Sequence, residues 1–129
     1  MEKISVFLDD YRRAPDGHVL VETIDECILL LQTYEIDHLS LDHDLVSKSR
    51  NGLMLVHIMV QKQLFADRIT VHSANSVGGK AMYRYLKQAQ QDFEMPTDIK
   101  VLLRPLPLNY IPPNYLHNYK SPSTTTFSP

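Results

Sequence analysis

Asp9 with Asp10, then Asp42, His43 and Asp44, then His72, Ser73 and Asn75 form three short polar groups, each beginning just after an apolar run. The runs, Ile4 to Leu8, Leu39 to Leu41 and Ile69 to Val71, have the composition of buried strands. In an open parallel sheet the carboxyl ends of the strands share one edge, and ligands bind in the crevice outside it. Four carboxylates, two imidazoles, a hydroxyl and an amide are therefore expected to converge on one place.

The residue types define the chemistry available there. Asp9, Asp10 and Asp42 make an oxygen-only set suited to Mg2+, which takes hard ligands and keeps waters that a phosphate can replace. Adjacent Asp9 and Asp10 point different ways at a strand end, so the pair supplies one or two oxygens at most. Without a cation these carboxylates repel, and one or more would hold a proton near neutrality. Histidine is the usual proton shuttle, which makes His43 and His72 candidates for catalysis beside Asp42. Zinc ligation with an Asp is the other use of two imidazoles, although no His-x-x-x-His spacing is present.

Ser73 and Asn75 are suited to donate hydrogen bonds to phosphate, and equally suited to cap the helix that follows. Arg12 and Arg104 flank the strand ends, where a guanidinium can grip phosphate bidentately. Asp44 is placed to orient His43 or to meet a metal through water. Gly78-Gly79-Lys80 lacks Walker spacing, and Arg13 and Lys80 read as solvated surface residues. His18, His38, His57 and His117 read as hydrogen-bonded surface residues.

The elements that must position these groups follow from pattern. The first strand, Ile4 to Leu8, leads into a polar loop over residues 9–17 punctuated by Pro15 and Gly17. Val19 to Val21 is a brief second strand. Thr23 caps a helix and Glu26 completes a Thr-x-x-Glu capping box, with Ile24, Cys27, Ile28, Leu31 and Tyr34 at helical spacing. The third strand, Leu39 to Leu41, precedes a helix over Gly52 to Leu64 capped by Asn51. The fourth, Ile69 to Val71, precedes a helix from Ser76 to about Phe93, and the fifth is Ile99 to Leu103. Strands alternating with helices predict a doubly wound α/β fold around a mainly parallel five-stranded sheet.

A length of 129 residues suits one domain, and 43% apolar with 22% charged residues is ordinary globular composition. The formal net charge of -2 argues against a protein that lives on long nucleic acid, without excluding a nucleotide-sized ligand. No apolar stretch is long enough to cross a bilayer, no signal peptide opens the chain, and the lone Cys27 reads as a core residue; the expected location is cytoplasmic. Beyond Arg104 the composition changes. Residues 105–129 hold six of the eight prolines and three of the seven tyrosines. Leu106, Leu108, Tyr110, Ile111 and Tyr115 are expected to pack in extended form along the domain or on a second copy, with the last eight or so residues disordered.

The Asp pair after the first strand, the Asp after the third, the Ser after the fourth and Arg104-Pro105 after the fifth resemble the receiver domain of two-component signalling. Three departures stand out: no room for a helix between the first two strands, Arg104 in place of the receiver lysine, and the extra His43 and His72. Leu-Asp-Asp-x-Arg, Ser-Leu-Asp-His-Asp-Leu (Ser40 to Leu45) and His-Ser-Ala-Asn are similar to motifs of the cyclic-phosphate-processing receiver-like domain, over residues 3–104. That resemblance implies a flavodoxin/receiver-like fold with a reduced first helix, and processing of a cyclic phosphate on a nucleotide or ADP-ribose-type ligand. Metal-assisted hydrolysis is the leading expectation, with water or Asp42 as the nucleophile. A stand-alone receiver phosphorylated on Asp42 and a protein that binds a cyclic nucleotide without turnover are the alternatives. No membrane partner is expected.

Overall fold

The computed structural model describes residues 2–107, and the expectations for the tail beyond Pro107, His117 included, lie outside the described residues. Five strands and three helices follow in the order β1 (Ile4–Leu8), β2 (His18–Val21), α1 (Ile24–Thr33), β3 (Ile36–Leu41), α2 (Gly52–Lys62), β4 (Arg68–Val71), α3 (Ser76–Gln91) and β5 (Lys100–Leu103). All strand pairs are parallel and the sheet order is β2-β1-β3-β4-β5. The order reverses at β1, which is the strand topology of the expected doubly wound, flavodoxin/receiver-like fold. Residues 9–17, the connection that would supply a helix to the second face of the sheet, join β1 to β2 without one.

Local chemistry sets the boundaries. Thr23 and Glu26 form the reciprocal capping box at the start of α1. Asn51 and Asn75 cap α2 and α3 by accepting from the amides of Met54 and Gly78. The second helix stops at Lys62, short of the expected Leu64, because Gln63 turns left-handed (φ 57). The third strand starts at Ile36, three residues before the apolar run, since Asp37 and His38 are not buried by a helix and need not be apolar.

Each strand separates its residues between two unlike faces. Val6, Leu8, Leu39, Leu41, Ile69, Val71 and Val101 join residues of α1, α2 and α3 in one apolar cluster. The helices lie side by side there, α1 against α2 and α2 against α3. On the alternate positions stand Phe7, His18, His38, Ser40, Arg68, Thr70, Lys100 and Leu102, which line an open cavity. Among the described residues, no helix covers that second face.

Candidate functional site

Register carries the sheet one residue past its strands. Leu8 pairs with both Val21 and Leu41, Leu41 with Val71, and Val71 with Leu103. The ladder continues through Asp9 N to Val21 O, Asp42 N to Leu8 O, His72 N to Leu41 O and Arg104 N to Val71 O, at 2.8–3.1 Å. Asp9, Asp42, His72 and Arg104 are thereby placed in one row at the carboxyl edge. Two-residue alternation continues the helix-free face of Phe7, Ser40 and Thr70 into this row.

Three of these side chains meet below the surface. Asp9, Asp42 and His72 are all buried, and ligand atoms from the three lie within 4.8 Å of one another. His72 Nε2 donates to Asp9 Oδ2 at 2.9 Å, while its ring stacks on Phe7 with centroids 4.3 Å apart. A carboxylate only accepts, so the Nε2 proton belongs to this bond, and in the neutral ring Ser40 Oγ donates to Nδ1 at 2.7 Å. Ser40, between Phe7 and Thr70 in register, also leaves the space across β3 in which Phe7 and His72 stack.

Arg12 enters the same cluster. Its Nη1 donates to Asp9 Oδ2 at 2.7 Å and to Asp42 Oδ2 at 3.3 Å. Nη2 and Nε donate to the carbonyls of Leu106 and Pro107, both at 2.8 Å. Asp9 Oδ1 accepts from the amides of Tyr11 and Arg12. Every oxygen of Asp9 is engaged.

These surroundings drive the two carboxyls apart. Burial by itself would raise Asp9, but bonds from His72, the Arg12 and Tyr11 amides and the Arg12 guanidinium outweigh it and hold Asp9 far below the usual carboxylate range. Asp42 goes the other way. Burial and then the Asp9 charge raise its proton affinity, against the opposing influence of His72, Arg12 and a bond from Ser73. Asp9 is thereby held in its ionised form, while burial favours the protonated form of Asp42.

A second group of predicted residues gathers beside the first. Asp10, Arg12, Asp42, Asp44, Ser73 and Asn75, joined by Tyr11, line a cavity of about 210 Å3 at the strand ends, and the expected catalytic His43 is not among its lining residues. His43 Nδ1 bonds Asp44 Oδ1 at 2.7 Å, and the same oxygen accepts from Asn75 Nδ2 at 2.9 Å. Those two bonds, that from His43 first, hold Asp44 below its ordinary pKa. Ser73 Oγ accepts from the Asn75 amide at 3.0 Å. Glycine makes room for this arrangement: a Cβ at Gly78 would overlap the His43 ring, and one at Gly52 would overlap the Asp42 carbonyl.

Arg104 stands apart from that group, exposed and lining the cavity over the open sheet face. Asp10 lines the smaller cavity and lies outside the Asp9–Asp42–His72 cluster. Ser40 opens the Ser40–Leu45 motif without a role assigned to it there; polar alternation within β3, which faces it away from the helices, is the signal that points to its bond with His72.

Two carboxylates and an imidazole with converging ligand atoms form a donor set able to hold a divalent cation, in competition with the Arg12 guanidinium. No helix among the described residues is long and apolar enough to cross a membrane. A family model described as the cyclic-phosphate processing receiver domain matches residues 4–88. No curated protein matches the chain.

Proposed function

The chain belongs to the cyclic-phosphate processing receiver domain family, and from that membership we propose that it hydrolyses a cyclic phosphate on a nucleotide or ADP-ribose-type ligand with the help of a divalent cation. The observation that carries this reading is the buried Asp9–Asp42–His72 cluster at the carboxyl edge of the sheet. We assign the cation as Mg2+, held by Asp9 and Asp42 beside His72, where it would offset charge on the non-bridging phosphate oxygens.

The chain's own groups divide the remaining work. Asp42, which lines the smaller cavity and whose proton affinity burial raises, is the residue on which activity is expected to depend most. Asp9 stays ionised and fixes His72 through Nε2. Asp44 holds Nδ1 of the partly exposed His43, leaving Nε2 free to take a proton from water or give one to the departing ribose oxygen. Ser73 and Asn75 present polar atoms to the phosphate from the start of α3. Arg12 positions Asp9 and Asp42 through its charge and is itself held by the carbonyls of Leu106 and Pro107.

Phosphorus NMR on 2′,3′-cyclic nucleotides, an ADP-ribose cyclic phosphate and 3′,5′-cyclic nucleotides tests the proposal. Ring opening of one class by the native chain, and its loss in a folded Asp42→Asn variant, is the expected result. Resonances that stay unchanged with every ligand and cation would remove hydrolysis. The order of activity with Mg2+, Mn2+ and Zn2+ adds a second readout. An imidazole ligand favours Mn2+ or Zn2+, so best activity with Mg2+ is expected if His72 remains on Asp9.

A further inference from the structure

The helix-free face of the sheet carries its own set of charges, arranged by register. His18, Ser5, His38, Arg68 and Lys100 stand in one line across all five strands. The next line toward the strand ends is Leu20, Phe7, Ser40, Thr70 and Leu102. Over these lines lies a cavity of about 380 Å3, lined also by Pro15, His72, Arg104 and Leu106. Its volume falls within the range of about 300–1,000 Å3 in which small-molecule sites occur.

The lining is one-sided in charge. Arg68, Lys100 and Arg104 border the cavity, and no Asp or Glu does. Among the described residues, no ion pair joins any of the three to a carboxylate. The imidazoles are ordered in contrast: His18 Nε2 meets His38 Nδ1 at 2.9 Å, and His38 Nε2 meets Thr70 Oγ1 at 2.9 Å. Leu102, between Lys100 and Arg104 along β5, adds apolar surface to the lining with Leu106 and Pro15, while Arg68 is the register neighbour of His38. Three unpaired cations beside an apolar floor and fixed polar groups match an organic phosphate: its anion meets the cations and its ring system the floor.

We propose that the open sheet face is a binding site for a phosphorylated small molecule of mononucleotide size, with the phosphate on the register neighbours Arg68 and Lys100. Its cavity is distinct from the smaller one bordered by Asp10, Asp42 and Asp44, and it reaches the carboxyl-edge row at His72 and Arg104. His72 is the shared wall: it lines the open-face cavity and bonds Asp9 of the edge. The site requires no turnover, so its failure leaves the hydrolytic reading standing, and the reverse holds as well.

Calorimetric titration of the full chain with 5′-AMP, free of divalent cations, tests the site together with histidine-ring NMR. Saturable binding is expected, with shifts at His18 and His38 and displacement by inorganic phosphate. Arg68→Glu combined with Lys100→Glu should weaken binding roughly tenfold or more, while Asp10→Asn leaves it unchanged. Both substituted cations are exposed, and a thermal melt verifies that the variant folds. AMP binding that survives the double charge reversal, or that phosphate does not displace, would overturn the proposal. So would absence of saturable binding up to about 1 mM, the weak end of specific affinity. An acidic peptide that shifts His18 and His38 where AMP does not would overturn it in favour of a protein partner.

Discussion

Arg12 Nη1 lies 2.7 Å from Asp9 Oδ2, and both side chains are fully buried. The guanidinium is an internal cation set into the cluster that attracts a divalent ion, and it also leans on Asp42 at 3.3 Å. Removing it leaves two buried carboxyls without their permanent counter-charge. Arg12→Met should cost about 3–5 kcal/mol, the usual consequence of breaking a buried pair. Millimolar Mg2+ or Mn2+ should then restore more of the melting temperature than it adds to the native protein. An equal response from both proteins would mean that Arg12 and the cation do not compete.

Asp42 predicts an effect of opposite sign. Its folded-state proton affinity is raised, by burial first and then by Asp9. The associated stability is complete below the ordinary carboxylate range and is lost as pH rises through the raised folded value. At neutral pH and without metal, Asp42→Asn should melt above the native protein, and the gain should vanish in acid. Differential scanning calorimetry at two pH values decides this, and a variant that melts lower at pH 7 would contradict it.

His38 supplies the pH dependence on the helix-free face. Burial, followed by the charges of Arg68 and His18, lowers its pKa from 6.5 to about 4. The folded state therefore resists protonation that the unfolded chain accepts, and stability falls as pH drops from 6.5 toward about 4. The ring is half-buried, so screening limits the loss to about 1 kcal/mol. His38→Gln should flatten this part of the stability curve in urea titrations, and an unchanged slope would assign it elsewhere.

Neighbouring glycines in α3 should respond differently to alanine. At Gly79 the added Cβ meets Ser73, Leu103 and Val71 at 3.6–3.7 Å, which is ordinary contact. Helix propensity then favours Gly79→Ala by about 0.5–1 kcal/mol. At Gly78 the same atom overlaps the His43 ring and must displace it from Asp44. Gly78→Ala should lower turnover of the cyclic phosphate by about 10²-fold, the scale of a misplaced proton-transfer group. Matching stabilities and activities in the two variants would show that His43 needs no fixed position.

Much of this architecture is legible in local sequence because the governing interactions are local. Thr23 and Glu26 announce α1 within four residues, and Leu8, Leu41 and Val71 end apolar runs where the polar edge begins. The short loop over residues 9–17 signals that no helix joins the first two strands. What stays hidden depends on register between strands. His18 and His38 are 20 residues apart and meet only because both pair with Ser5 across β1. Ser40 gains its role from a ring 32 residues away. Arg12 looks like a phosphate ligand beside a carboxylate pair, and nothing near it in sequence reveals the carbonyls of Leu106 and Pro107 that turn it inward.

That last contact has a consequence for how the molecule is made. Arg12 leaves the ribosome well before two of its acceptors, which lie 94 and 95 residues downstream. A growing chain can stack β1, β3 and α2 while the guanidinium still lacks those carbonyls. The edge is completed only after β5 has joined the sheet and Leu106 N has bonded His72 O. Assembly of the ligand-binding edge thus reports that translation has passed Pro107, and fragments ending at Arg104 would carry the acidic residues without their clasp.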